Sequence, residues 1–95
     1  MPSSLGPCIV TADEIADPGA LDLRISVNGE ERQNSNTRFL ILGVADLIEY
    51  ASSFYTLHPG DVILTGTPQG VGPVRPGDTM HARIDRIGAM QVRVL

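Results

Sequence analysis

Two hydroxyls separated by one glycine, Thr65-Gly66-Thr67, are the residues of this 95-residue chain best placed to do chemistry. A threonine hydroxyl offers one donor and two acceptor lone pairs. A glycine between two of them lets the backbone take φ > 0 or come close to another group. Pro68, Gly70, Gly72 and Pro73 continue the run, alternating points of freedom with points of stiffness. A loop of this kind can hold a small anion or a carbonyl oxygen against its hydroxyl and N–H donors. The same residue types serve equally well in a structural turn between strands. No lysine follows Thr67, so this is not a nucleotide phosphate loop.

The other reactive side chains read differently. Asp13, Glu14 and Asp17 lie close together and invite a metal, but no Asp-x-Asp-x-Asp-Gly loop is present, and they read as solvated loop acids. Cys8, the only cysteine, excludes an internal disulfide, and its apolar setting with Ile9 and Val10 reads as core packing. His58 falls in a turn and His81 on the polar face of an alternating segment, so both read as solvent-facing.

The elements that must position these groups follow from periodicity. Residues 61–64 form a short apolar run between Pro59-Gly60 and Thr65-Gly66, which predicts a buried strand feeding the loop. Residues 8–11 are a further strand candidate. Residues 21–27 alternate apolar and polar, Asn28-Gly29 supplies a type I′ turn, and residues 30–34 return as a strand polar on both faces. Residues 40–54 carry Leu40, Val44, Leu47, Ile48, Ala51 and Phe54 at helical spacing, which predicts one helix with Leu47 and Ile48 buried. Gly43 weakens its first turn, so the regular part begins at Val44 or Ala45. Arg75-Pro76-Gly77-Asp78 repeats the Pro-Gly-Asp of residues 59–61 as a second turn leading into a strand. Residues 79–87 then alternate, with Met80, Ala82 and Ile84 inward. Gly88 allows a reversal, and Met90, Val92 and Val94 continue as the partner, with Arg93 opposite His81. The expected class is α+β, mainly antiparallel strands with one central helix.

Bulk properties narrow the partners. A net charge of −4, with seven arginines scattered along the chain and no lysine, argues against nucleic acid. No apolar run approaches the ~20 residues that span a bilayer, and the start lacks the basic and apolar regions of a signal peptide. A lone cysteine fits a reducing cytoplasmic setting.

Longer motifs add a resemblance. Residues 59–72, Pro-Gly-Asp-Val-Ile-Leu-Thr-Gly-Thr-Pro-Gln-Gly-Val-Gly, resemble a signature near the C-terminus of the fumarylacetoacetate hydrolase family. Leu5-Gly6-Pro7 with Thr11-Ala12-Asp13-Glu14 resembles that family's Gly-Pro…Thr-x-Asp-Glu. Val27-Asn28-Gly29-Glu30, followed by Arg32-Gln33, Ser35 and Thr37, is similar to its Val-Asn-Gly-Glu…Gln…Thr. The resemblance implies a partial fumarylacetoacetate hydrolase-like β fold. It also implies relationship to metal-dependent hydrolases, isomerases and decarboxylases of 2-oxo or 2,4-dioxo acids and dienoic diacids. It implies that Thr65, Gly66 and Thr67 bind substrate and that Gln33 and Thr37 support the site. For Gln33 the residue type allows either direct contact with the ligand or a structural tie from the hairpin to a neighbouring loop, the tie being slightly favoured. The family's Mg²⁺ or Mn²⁺ is held by a Glu-x-Glu pair and an Asp, its base is a His–Glu dyad, and a Lys precedes the Gly-Pro. None of these motifs occurs here. The expectation is therefore a C-terminal portion without the N-terminal metal-binding half, with no catalytic or metal-ligating residue of its own and inactive alone. Its ligand would be a small 2-oxo acid or dicarboxylate, and it would form a homo-oligomer or pair with the missing half. The alternative is a non-catalytic module for small-acid binding or oligomerisation.

Overall fold

The computed structural model describes residues 5–95. β1 (Asp22–Val27) and β2 (Glu30–Asn36) form a hairpin around Asn28 (φ 51°) and Gly29 (φ 82°), the left-handed pair that an Asn-Gly turn requires. β3 (Thr79–Ile84) and β4 (Gly88–Arg93) form a second hairpin. Antiparallel pairing of β1 with β3 joins the two into one sheet of order β2-β1-β3-β4. Asn28 stitches that junction. Its side-chain carbonyl accepts from Thr79 N at 3.0 Å, and its amide donates to Asp78 Oδ1 at 2.9 Å. Between β2 and β3 the chain leaves the sheet, forms the helix α1 (Val44–Phe54) and returns through residues 55–78. The α+β class and the single helix are thus as expected, with α1 beginning at Val44 after the Gly43 cap position.

The sheet is covered on neither face by enough chain to make a core. Leu21 and Val27 are the only buried apolar side chains among the described residues. The surface area is 7720 Å², whereas a folded chain of this size exposes about 5,300 Å². The radius of gyration, 14.5 Å, likewise exceeds the roughly 12.4 Å of a compact chain of this length. Large apolar side chains share in that exposure: Ile9, Ile41, Phe54, Val62, Leu64 and Val71 are each at least 61% exposed.

Several expectations are corrected by this open arrangement. Residues 61–64 form no strand and pair with none, and Val62 and Leu64 are exposed. Residues 8–11 form no strand. Cys8 is exposed rather than packed in a core, its thiol pointing to the Ile87 carbonyl at 3.5 Å. On α1 the stripe is real but uncovered. Val44, Leu47 and Ala51 are half-buried, and Ile48 is 48% exposed instead of buried. β2 runs on to Asn36 and is polar along its length as expected, with Gln33 and Asn36 buried and hydrogen-bonded, Gln33 to the loop at Thr67 and Pro68. β3 stops at Ile84 rather than residue 87, because Arg86 takes φ 67° and turns the chain into β4. The register then sets His81 opposite Gln91, while Arg93 faces Thr79. His81 is exposed as expected.

Candidate functional site

The loop of interest is hung on the outer strand of the sheet. β1 pairs Ile25 with Gln33 and Ser26 with Glu31, so Arg32 is an extra residue, a β-bulge on the edge strand. A bulge bends its strand and re-aims neighbouring side chains. Here it frees the Arg32 carbonyl to meet the loop backbone. Gly70 sits at φ 106° directly against that carbonyl, where any Cβ would collide with it, and a Cβ at Gly72 would lie 3.0 Å from Arg32 Nη1. Nη1 also reaches the Pro73 carbonyl at 3.5 Å.

Gln33 supplies the other anchor. It is 6% exposed, and its Nε2 donates to Thr67 Oγ1 and to the Pro68 carbonyl, both at 2.8 Å. The structure therefore brings Gln33 to Thr67, joining the hairpin to the loop. Thr65, Gly66 and Thr67 are all exposed. Gly66 adopts φ 88°, yet nothing lies within 4 Å of where its Cβ would stand. Its demand for glycine is conformational, not a matter of space, unlike that of Gly70. Thr37 is not brought to this loop. It opens a short 3₁₀ turn, where its hydroxyl accepts from Leu21 N at 2.9 Å and donates to Pro18 O at 2.7 Å, holding the entrance to β1. The Gly70–Arg32 packing is absent from the residue-type reading, although Gly70 was visible there as part of a glycine-studded loop.

Charged groups do not converge on the loop to make a catalytic set. Among the described residues no three of His, Cys, Asp and Glu gather where they could hold one metal ion. His58 lies in the turn before the loop, its backbone N–H donating to Asp61 Oδ2 at 2.8 Å. Asp78 closes the equivalent second turn by accepting from Arg75 N at 2.8 Å. That bond first, then the one from Asn28, holds the Asp78 carboxyl below the usual carboxylate value. Two shallow cavities lie elsewhere. One of about 240 Å³ is lined by Glu14, Ile15, Asp17, Leu21 and Arg86, and one of about 160 Å³ by Asp22, Arg24, Arg83 and Asp85. Neither includes the threonine loop, which faces open solvent.

With this geometry established, likeness to known proteins becomes informative. A family model described as "Fumarylacetoacetate (FAA) hydrolase C-terminal" matches residues 2–95. Maleylpyruvate hydrolase of Aquipseudomonas alcaligenes is 64% identical over 90 residues, covering 95% of this chain and 31% of the relative. The crystal structure of maleylpyruvate hydrolase from Sphingobium sp. SYK-6 in complex with manganese (II) ion and pyruvate superimposes with a TM-score of 0.92. It is 50% identical and covers 95% of this chain and 34% of that one. A 5-carboxymethyl-2-hydroxymuconate delta-isomerase from Mycobacterium smegmatis matches with a TM-score of 0.87 at 47% identity, covering 95% and 35%. The chain thus spans about a third of the length of the relatives it matches. No helix among the described residues is long and apolar enough to cross a membrane.

Proposed function

The chain belongs to the fumarylacetoacetate hydrolase family, and from that premise we propose that it forms the substrate-carboxylate wall of a hydrolase or isomerase acting on a 2-oxo or 2,4-dioxo acid. The observation that carries this reading is the Gln33–Thr67 hydrogen bond. An oxygen that accepts from Gln33 keeps its own proton for another partner, so an exposed loop presents a held hydroxyl donor beside the Thr65 hydroxyl and the flexible Gly66 backbone. Hydrogen bonds to a carboxylate or enolate oxygen are charge-assisted and about twice as strong as neutral ones. They strengthen as negative charge develops on a carbonyl oxygen, which lowers a barrier as well as holding a substrate. In the related Sphingobium structure the bound groups are manganese (II) and pyruvate, a 2-oxo acid of the proposed class. On this reading the cation and the base come from polypeptide outside residues 5–95.

That polypeptide has a place to dock. The surface in excess of a compact fold, about 2,400 Å², matches one side of a large obligate interface. Much of it comes from α1, from residues 61–64 and from the apolar residues around the loop. The match to a third of several longer relatives at high TM-score supports reading this chain as a part seated in a larger domain. We assign the occupant as the remaining two-thirds of such a domain. Residues 62–64 offer it apolar side chains and a backbone without backbone hydrogen bonds, and α1 offers it the exposed stripe. A homo-oligomer of the completed domain in a reducing cytoplasm, where Cys8 stays a thiol, fits the same reading.

The test is a hybrid in which residues 1–95 replace the matched third of the Aquipseudomonas alcaligenes maleylpyruvate hydrolase. It should hydrolyse maleylpyruvate. Thr67→Val should lower kcat/KM by about 5- to 150-fold, the equivalent of roughly 1–3 kcal/mol for a lost hydrogen bond to a charged group. A folded, active hybrid indifferent to Thr67→Val would remove the loop from the site.

A further inference from the structure

Residues 62–74 belong to no helix or strand, and among the described residues they make no backbone–backbone hydrogen bond. Their position is set by two adjacent residues of β2: Gln33, through Thr67 and Pro68, and Arg32, through Gly70 and Pro73. The Pro68 carbonyl can only accept. The Gln33 atom 2.8 Å from it must therefore be the NH₂ group, and the same nitrogen then donates its second proton to Thr67 Oγ1. A hydroxyl that accepts along one direction has its single proton left for another, so the direction of the Thr67 donor is decided inside the protein. Gln33 is buried at 6% exposure, which protects this arrangement from competing water.

We propose that Gln33 is a positioning residue that sets the polarity of the Thr67 hydroxyl, making it a donor to the oxo-acid oxygen, and that the Arg32 bulge exists to seat it. The proposal rests on the carboxylate-wall reading above and deepens it: the buried Gln33 amide, and not the ligand, decides whether the wall donates or accepts. Replacing the amide by a carboxylate of the same shape reverses the logic. An ionised carboxylate cannot donate, so the Thr67 proton turns inward to it, and a lone pair faces the ligand. The Pro68 carbonyl loses its donor at the same time. Protonating that carboxylate restores one donor, shared between Thr67 Oγ1 and the Pro68 carbonyl, and so restores the outward Thr67 proton in part.

The surroundings favour a clean titration. The ladder partner on β1 is Ile25, residues 65–73 carry no ionisable side chain, and the Arg32 guanidinium is the charged group beside the contact. Burial raises the carboxyl's pKa and the guanidinium opposes that rise. In the hybrid enzyme, Gln33→Glu, Gln33→Met and Thr67→Val should be compared by kcat and KM for maleylpyruvate across a pH series, each normalised to the unsubstituted hybrid. The expectation for Gln33→Glu is a kcat/KM about 10- to 100-fold down at alkaline pH, recovering toward the parent as pH falls. Gln33→Met should be down by a similar factor with no recovery, because a thioether cannot donate at any pH. Inhibition by pyruvate should weaken in step. If Thr67→Val is damaging while Gln33→Glu matches the parent at every pH, the polarity role is wrong and the wall stands. If Gln33→Glu and Gln33→Met are equally impaired with no pH-dependent recovery, Gln33 only packs. If Thr67→Val itself has no effect, the wall reading falls.

Discussion

Alanine at Gly70 tests the seating of the loop most directly, with alanine at Gly66 as its control. Both glycines lie in left-handed territory, at φ 106° and 88°, so each alanine pays a conformational cost of roughly 1–2 kcal/mol. At Gly66 the cost ends there, because nothing lies within 4 Å of the new methyl. At Gly70 the methyl runs into the Arg32 carbonyl and comes within 3.1 Å of Gln33 Cγ. The carbonyl belongs to a bulge residue whose neighbours Glu31 and Gln33 are both paired with β1, which limits its movement, so the loop must retreat instead. Retreat stretches both Gln33 donor bonds, each contributing about 1 kcal/mol, and leaves a buried amide short of partners. The combined penalty for Gly70→Ala is about 3–4 kcal/mol against about 1–2 for Gly66→Ala. Denaturant melts of the hybrid enzyme with each substitution would measure the difference, and the Gln33 side-chain NH₂ resonances should move only in Gly70→Ala. Equal destabilisation by the two alanines, with those resonances unshifted in both, would refute the idea that the loop is clasped at Arg32.

Three further outcomes follow from the same structure. Thr65→Val in the hybrid should reduce kcat/KM by about 5- to 150-fold with circular dichroism unchanged, as expected for loss of a ligand donor at nearly constant volume. The 95-residue chain on its own should self-associate and bind a hydrophobic dye, since monomers seldom expose apolar patches beyond a few hundred Å². Co-expression with the other two-thirds of the relative should convert it to a one-to-one complex by analytical ultracentrifugation, and Ile63→Lys should weaken that complex. The fourth concerns acid. A carboxyl whose pKa is lower in the folded state stabilises the fold above its unfolded value and loses that contribution as pH falls through the folded one. Asp78 is lowered from 3.8, so stability should begin to drop below that pH. Asp78→Asn should flatten this part of the denaturant-midpoint profile.

How much of this was legible beforehand depends on the range of the interactions involved. Asn28-Gly29 determined the first hairpin turn, because its left-handed residues are a local requirement that no distant contact need enforce. The helix start after Gly43 was local in the same way. The family motifs in residues 59–72 identified the lineage, and the threonine loop was singled out from residue types alone. By contrast, the bulge at Arg32 and the contact of Gly70 with its carbonyl join residues far apart in the chain, and no spacing along either segment encodes them.

The two Pro-Gly-Asp turns show where local information stops. In both, the Asp N–H donates 3.0 Å to the carbonyl three residues back. In both, the Asp carboxylate accepts from that residue's N–H at 2.8 Å, and the glycine sits at φ 94°. Identical local sequence made identical turns. After the second, the chain enters β3 and finds β1 and β4 on either side. After the first, it enters residues 61–64, more apolar than β3, and finds no strand beside it among the described residues. The sequence by itself determined the turn and the apolar character of both segments. Whether such a segment becomes a buried strand was decided only in three dimensions, because backbone hydrogen bonds between strands and the burial of apolar surface both require a second piece of chain at the right distance.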